Sequence, residues 1–111
     1  MPTAPFEMES AHDGETGRLT LFGELDIATA PRVEAAVDTL LRDGVKRLTI
    51  DLARLGFVDS SGLRLFIVLD QRASAERWEL ALVRPEPQAL KVFRISGVED
   101  NLPFVEGASA A

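Results

Sequence analysis

The chain has 111 residues, of which 46% are hydrophobic and 27% charged, and its net charge is −6. This length and composition predict one globular domain with a sizeable core. The negative charge argues against a nucleic-acid partner bound through its phosphates. Cysteine is absent, which excludes disulfides, zinc–thiolate sites and thiol nucleophiles. Histidine occurs once, at His12, where we expect an exposed loop residue and neither a metal ligand nor part of a catalytic triad.

We expect neither a transmembrane span nor a secretory signal in this sequence. No apolar run approaches the ~20 residues that cross a bilayer, and the beginning of the chain lacks a basic stretch followed by an apolar one. We therefore expect a cytoplasmic protein that does not contact membranes. Its single domain is predicted at residues 1–106, followed by a flexible tail at residues 107–111.

The chain is predicted to begin with an antiparallel hairpin. Apolar and polar residues alternate from Phe6 to Ser10 and again from Arg18 to Gly23, which is typical of strands with one buried face. The stretch from His12 to Glu15 between them carries turn residues.

The first helix is predicted after this hairpin. Thr29 can cap its beginning, Pro31 suits its first turn, and Gly44 ends it. Its apolar residues recur at helical spacing and form one stripe towards a core, made of Val33, Ala36, Val37, Leu40 and Leu41.

Strands and helices alternate in the second half of the chain. Strands are predicted from Lys46 to Leu52 and from Trp78 to Val83, and helices from Ser61 to about Ser74 and around Ala89 to Phe93. The segment from Leu102 to Val105 is either a short strand or a docking segment. The predicted fold is α/β: a mixed sheet with a leading hairpin, then parallel strands that alternate with helices packed on the sheet.

The helix that begins near Ser61 is apolar around most of its circumference. Such a helix is buried on several sides or shows part of its surface to a partner. Burial accounts for most of it, and we expect Leu65 and Val68 to be the exposed positions. Asp70, on the apolar side, has no explanation from the sequence.

An aspartate and two serines stand where this helix begins. Asp59, Ser60 and Ser61 occupy the junction between a buried strand and the helix, whose first N–H groups lack partners inside the helix. These residue types are the preferred helix caps. A serine at a helix N-terminus can equally carry a phosphate. The residues alone leave both interpretations open.

Three motifs occur in a specific order. Gly23-Glu24-Leu25-Asp26 precedes the first helix, the stretch from Leu52 to Leu63 surrounds the junction, and Phe93 to Val98 ends the last helix. Together they resemble the bacterial anti-sigma-factor antagonists, which are single STAS domains. The resemblance extends from about Phe6 to Phe104 and implies a STAS-like fold.

The resemblance implies a binding module that has no enzymatic activity and no cofactor. In that family the anti-sigma factor is a protein kinase that uses ATP, and its target corresponds to Ser60. The unphosphorylated protein binds this kinase and thereby indirectly releases a sigma factor. The implied contact surface consists of Asp26, Thr29, Asp59, Ser61, Gly62 and Arg64. Ser61 is also a candidate helix cap, and Arg64 stands where several members have glycine.

Phosphorylation of Ser60 would act as a charge switch. A phosphate adds about −1.5 to −2 charges beside Asp26 and Asp59. The helix N-terminus tolerates this charge, so we expect the fold to survive while the interface does not.

Three alternatives remain from the sequence. The chain could be a STAS docking module of a transporter or signalling scaffold, without phosphorylation. It could be a receiver-like domain with Asp51 as phospho-acceptor, although the early acidic pair that would hold Mg²⁺ is missing. Asp26 and Asp59 could also be a catalytic carboxylate pair, which no other feature of the sequence supports.

Overall fold

The computed structural model describes residues 5–106, so the predicted tail at residues 107–111 lies outside the described part. Within it, five strands form one sheet in chain order, and three helices connect the parallel strands. The strands are β1 (Glu7–Asp13), β2 (Thr16–Leu25), β3 (Arg47–Val58), β4 (Glu79–Val83) and β5 (Phe104–Val105). The helices are α1 (Ala30–Arg42), α2 (Ser60–Glu76) and α3 (Pro87–Ile95). The predicted α/β fold class is confirmed, because β1 and β2 pair antiparallel and every later pair is parallel.

The helices lie on one face of the sheet. The crossovers from β2 to β3, from β3 to β4 and from β4 to β5 all step in the same direction, and right-handed connections then place their helices on the same side. α2 accordingly contacts both α1 and α3. The core lies between this layer and the sheet, and its fully buried sheet residues include Leu19, Leu21, Leu25, Leu48, Ile50 and Leu52.

β3 is longer than its sequence pattern predicts. We expect it to end at Leu52, yet it continues to Val58, with Leu55 and Val58 buried. Its pairing with β2 shifts register twice, between Thr20 and Phe22 and between Gly23 and Glu24. These irregularities break the alternation of buried and exposed positions after Leu52. The sequence pattern typical of a strand therefore ends at Leu52, although the strand continues to Val58.

His12 lies in a strand, so its predicted place in a loop is wrong. β1 runs to Asp13, and the turn shortens to Gly14 and Glu15. Register places His12 opposite Gly17, and its Nε2 lies 3.9 Å from a carboxylate oxygen of Asp43, just after α1. The imidazole is exposed, as expected.

Leu65 is a second correction. It lies in the core with only 7% of its surface exposed, whereas Val68 is partly exposed. α2 packs against α1 on one side and α3 on the other. A side of α2 that appears exposed when the helix is considered alone is therefore covered by a neighbouring helix. One of the two expected exposed positions on α2 is therefore wrong.

Candidate functional site

The two halves of the predicted contact surface meet at the carboxyl ends of β2 and β3. Leu25 pairs with Val58 as the last residues of these parallel strands, and the backbone N–H of Asp59 donates to the carbonyl oxygen of Leu25 at 3.1 Å. The loop after β2 and the beginning of α2 therefore lie side by side. Motifs that are far apart in the sequence become a single surface.

Asp59 caps α2. Its backbone is extended, and its Oδ1 accepts hydrogen bonds from the N–H groups of Ser61 at 2.8 Å and Gly62 at 3.1 Å. Its carbonyl oxygen also accepts from the N–H of Leu63 at 3.0 Å. Ser61 lies inside the first turn, so its predicted role as helix cap is wrong. An aspartate satisfies the free N–H groups as a serine would, and the sequence could not decide between the two.

Ser60 is the first residue of α2 and is exposed. Its hydroxyl makes no hydrogen bond within residues 5–106. A cap would have used this hydroxyl, and Asp59 already fills that role. Ser60 thus offers a solvent-facing oxygen whose modification would break no contact of the fold.

The Asp26 loop is closed by its own side chains. Asp26 Oδ1 accepts from the N–H groups of Ala28 at 3.0 Å and Thr29 at 3.1 Å, as in an Asx turn. The Thr29 hydroxyl accepts from the N–H of Asp26 at 2.9 Å and donates back towards Asp26 Oδ1 or the Glu24 carbonyl. Thr29 therefore shapes the loop and does not cap α1 through its side chain, contrary to the sequence prediction.

This turn presents an isoleucine that the sequence analysis missed. Ile27 lies at the tip of the loop with 76% of its surface exposed. The sequence does contain a feature that could have predicted this exposure: Ile27 is an apolar residue between turn residues and precedes the apolar stripe of α1. Exposed apolar residues indicate a protein-binding surface when they are continuous with further apolar surface, and Ile27 lines an apolar groove.

An open groove of about 230 Å³ runs from Ile27 along the line where α1 faces α2. Its walls are mostly apolar, with one acidic and one basic side chain at the rim. It is lined by Ile27, Ala30, Pro31, Glu34, Ser61, Arg64, Leu65 and Val68. Ser60 therefore adjoins a surface that can receive an apolar side chain.

Gly62 belongs to the packing beneath this surface. It is buried, and a Cβ atom at this position would lie 2.8 Å from Val58 Cγ1 and 2.9 Å from Leu25 Cδ2. The absence of a side chain lets α2 begin directly against the ends of β2 and β3. The structure thus removes Gly62 from the set of accessible contact residues.

The surroundings of Asp51 do not match the receiver-like alternative. Asp51 accepts a hydrogen bond from Arg18 at 2.7 Å and lies inside β3, seven residues before its end, not at the strand end that the receiver-like alternative needs. Within residues 5–106, no three histidine, cysteine or acidic side chains group as a metal site would require. None of the helices in this part combines the length and apolar character needed to cross a bilayer.

Comparison with known proteins identifies the family. The family model described as "Mlab, STAS domain" matches residues 8–106. The chain belongs to the STAS domain family. Protein BtrV of Bordetella bronchiseptica is 31% identical to this STAS protein over 91 residues, which cover 82% of this chain and 78% of BtrV. The anti-sigma-B factor antagonist of Staphylococcus aureus is 28% identical over 85 residues, covering 77% of this chain and 79% of the relative.

Solved structures of anti-sigma factor antagonists share the fold of this STAS protein. Unphosphorylated SpoIIAA superposes with a TM-score of 0.76 at 28% identity, covering 96% of this chain and 90% of SpoIIAA. The phosphorylated form of SpoIIAA from Bacillus gives a TM-score of 0.70, covering 96% and 94%. The chain thus belongs with the anti-sigma factor antagonists, as its motifs predicted.

Proposed function

We propose that this STAS protein is a cytoplasmic anti-sigma factor antagonist controlled by phosphorylation of Ser60. In its unphosphorylated form it binds an anti-sigma factor serine kinase, and the kinase then releases its sigma factor. The observation that carries the proposal is the exposed, unbonded hydroxyl of Ser60 beside the Asp26 loop and the groove. The relatives support it, since SpoIIAA exists in both an unphosphorylated and a phosphorylated form.

The chemistry belongs to the partner, and this chain supplies the nucleophile. The Ser60 oxygen attacks the γ-phosphorus of ATP held by the kinase, the bond to the ADP oxygen breaks, and a P–O bond to Ser60 forms. The hydroxyl proton leaves to a base of the kinase. Because the hydroxyl is free of hydrogen bonds within residues 5–106, it can enter the active site of a partner without unfolding α2.

The surface around Ser60 offers both apolar and charged contacts to this partner. The groove and Ile27 can bury an apolar side chain, worth about 25 cal/mol per Å² removed from water. Asp26 and Asp59 each use Oδ1 for the local turn or cap, while Oδ2 makes no hydrogen bond within residues 5–106. These free oxygens can accept charge-assisted hydrogen bonds from basic side chains of the kinase.

Phosphorylation weakens this interface through charge. The new dianion lies beside two carboxylates and would have to lose water against a surface fitted to a neutral hydroxyl. Each ~1.4 kcal/mol of penalty lowers affinity about tenfold, so a small penalty is enough to release the partner.

The test measures binding to a purified anti-sigma factor kinase from the same organism, with Mg²⁺ and ATP. Ser60→Asp should weaken binding by about tenfold or more in calorimetry, since it places a negative charge at the same position. Ser60→Ala should bind like the unmodified protein and gain no phosphate by intact mass. Ser74→Asp, the same change at an exposed residue near the other end of α2, is the matched control and should bind normally.

Two results would overturn the proposal. One is phosphate incorporation into Ser60→Ala at the rate of the unmodified chain. The other is tight binding of the kinase with no modification of Ser60, which would make the protein a STAS docking module that works without phosphorylation. Melting temperatures of all variants should agree closely, so that a loss of binding is not a loss of fold.

A further inference from the structure

Among residues 5–106, the guanidinium of Arg64 has no ion-pair partner. It is exposed on α2, lines the groove, and makes no hydrogen bond or ion pair within residues 5–106. By contrast, Arg72 on the same helix is held between Asp38 and Glu76. The guanidinium of Arg64 is therefore available to a new anion at the rim of the candidate site.

Arg64 lies one helical turn after Ser60. Residues four apart on a helix have Cβ atoms about 5–6 Å apart on the same face. Long side chains on a helix lean back over the turn that precedes them. The guanidinium of Arg64 can therefore extend towards the Ser60 oxygen without any change in the backbone of α2.

Three of the backbone N–H groups at the start of α2 already have acceptors within the helix cap. The N–H groups of Ser61 and Gly62 donate to Asp59 Oδ1, and that of Leu63 donates to the carbonyl oxygen of Asp59. The carboxylates of Asp26 and Asp59 on this surface are acceptors only. Of the residues that line the groove, Arg64 alone is basic and Glu34 alone is acidic.

We propose that Arg64 is a latch for the phosphate on Ser60. Once Ser60 is phosphorylated, the guanidinium pairs with the phosphate oxygens across one turn of α2, and Arg64 leaves the rim of the groove. Phosphorylation then changes the docking surface in two ways: it adds negative charge, and it withdraws the cation that a partner would meet there. The inference rests on the proposed function only in taking Ser60 as the residue that carries the phosphate.

The test installs phosphoserine at residue 60 during synthesis of the full chain, so that no kinase is needed. Phosphorus NMR then follows the second ionisation of the phosphate, whose pKa is about 6 for free phosphoserine. Arg64→Gln should raise this pKa by about 0.15–0.4 relative to the unsubstituted phosphoprotein, because the dianion loses its paired cation. Arg64→Lys should give an intermediate pKa, since lysine keeps the positive charge but cannot bind two phosphate oxygens at once as a guanidinium can.

Lys91→Gln is the matched control. It removes one positive charge from an exposed position on α3 and should leave the pKa of the phosphate unchanged. In the same samples, the Nε–H resonance of Arg64 should move downfield when the phosphate ionises, and it should not move in the unphosphorylated chain.

Equal phosphate pKa values in Arg64→Gln and Lys91→Gln would overturn the latch, as would an Arg64 Nε–H resonance that is insensitive to phosphate ionisation. Both readouts are independent of any partner. If the kinase fails to modify Ser60 while the latch is observed, the proposed function fails alone. If the kinase modifies Ser60 and the pKa is insensitive to Arg64, the latch fails alone.

Discussion

At the scale of single residues, the site contains two kinds of side chain: those that hold the local backbone by hydrogen bonds and those that make no hydrogen bond within residues 5–106. Asp26, Thr29 and Asp59 direct side-chain oxygens at nearby backbone N–H groups and so fix the loop and the helix start. Ser60 and Arg64 make no such bonds within residues 5–106. Short polar side chains before a helix readily bond the backbone, which leaves the residues after them available.

Asp59→Ala should destabilise the fold by about 1 kcal/mol, because two N–H groups at the start of α2 lose their acceptor. For a chain of this size the melting temperature should fall by about 4 °C. Calorimetry or urea unfolding measures the effect.

Two further variants test the identity of this cap. Asp59→Asn keeps the acceptor oxygen and should cost little. Ser61→Ala should stay within about 0.5 kcal/mol of the unsubstituted protein, since its side chain makes no hydrogen bond within residues 5–106. If Ser61→Ala cost more than Asp59→Ala, the assignment of the cap would be wrong.

At the scale of elements, the position of Ser60 depends on how α2 is seated. The helix begins where β2 and β3 end, and Gly62 allows its first turn to touch Leu25 and Val58. The site is therefore built on the ends of two paired strands and the turn of a helix, which are rigid supports for a surface that a partner must recognise.

Gly62→Ala should destabilise the fold by about 1–3 kcal/mol, although alanine is the better helix former. The added methyl would meet Val58 and Leu25 at less than 3.0 Å, so α2 must shift or the core must repack. Urea unfolding measures the loss, and a displaced α2 should also slow phosphorylation of Ser60 by the kinase.

Gly56→Ala is the control for this substitution. A methyl group at Gly56, which is exposed in β3, would meet no atom within 4 Å, and the stability should change by less than about 0.5 kcal/mol. Equal effects at the two glycines would contradict the close packing of α2 on the strand ends.

At the scale of the whole molecule, a row of aromatic rings joins the second half of the chain. Phe93 on α3 lies between Phe66 on α2, with ring centroids 6.2 Å apart, and Phe104 on β5, with an edge-to-face contact at 5.4 Å. Phe66 and Phe93 are fully buried. This row attaches the short strand β5 and the last helix to the helix that carries the site.

Phe93→Ala should cost about 3–5 kcal/mol, because it leaves a cavity and removes both ring contacts. Since small domains are stable by only about 5–15 kcal/mol, much of the unfolding free energy would be lost. Ile95→Ala, two residues along α3 at a position that is 84% exposed, should have almost no effect. Urea midpoints compare the two variants, and similar midpoints would contradict the central role of Phe93.

The local elements were largely predictable from the sequence. The hairpin, the apolar stripe of α1 and the alternation of strand and helix follow from periodicities of two and 3.6 residues, which reflect backbone geometry and solvent exposure. The serine and aspartate at the start of α2 were likewise visible, because such residues recur wherever a helix leaves its N–H groups free. The motif order was sufficient to indicate the STAS family.

Tertiary structure decided the properties that depend on distant residues. Two register shifts extended β3 beyond its visible pattern, and α1 and α3 enclosed the flanks of α2, so that Leu65 is buried. The parallel pairing of β2 with β3 brought the Asp26 loop beside the start of α2, and the packing of α1 against α2 formed the groove. The periodicity of a sequence predicts which side of a helix or strand is buried, but only tertiary packing determines which elements become neighbours. The candidate site of this protein lies between the Asp26 loop, α1 and α2, so the sequence alone could not predict its shape.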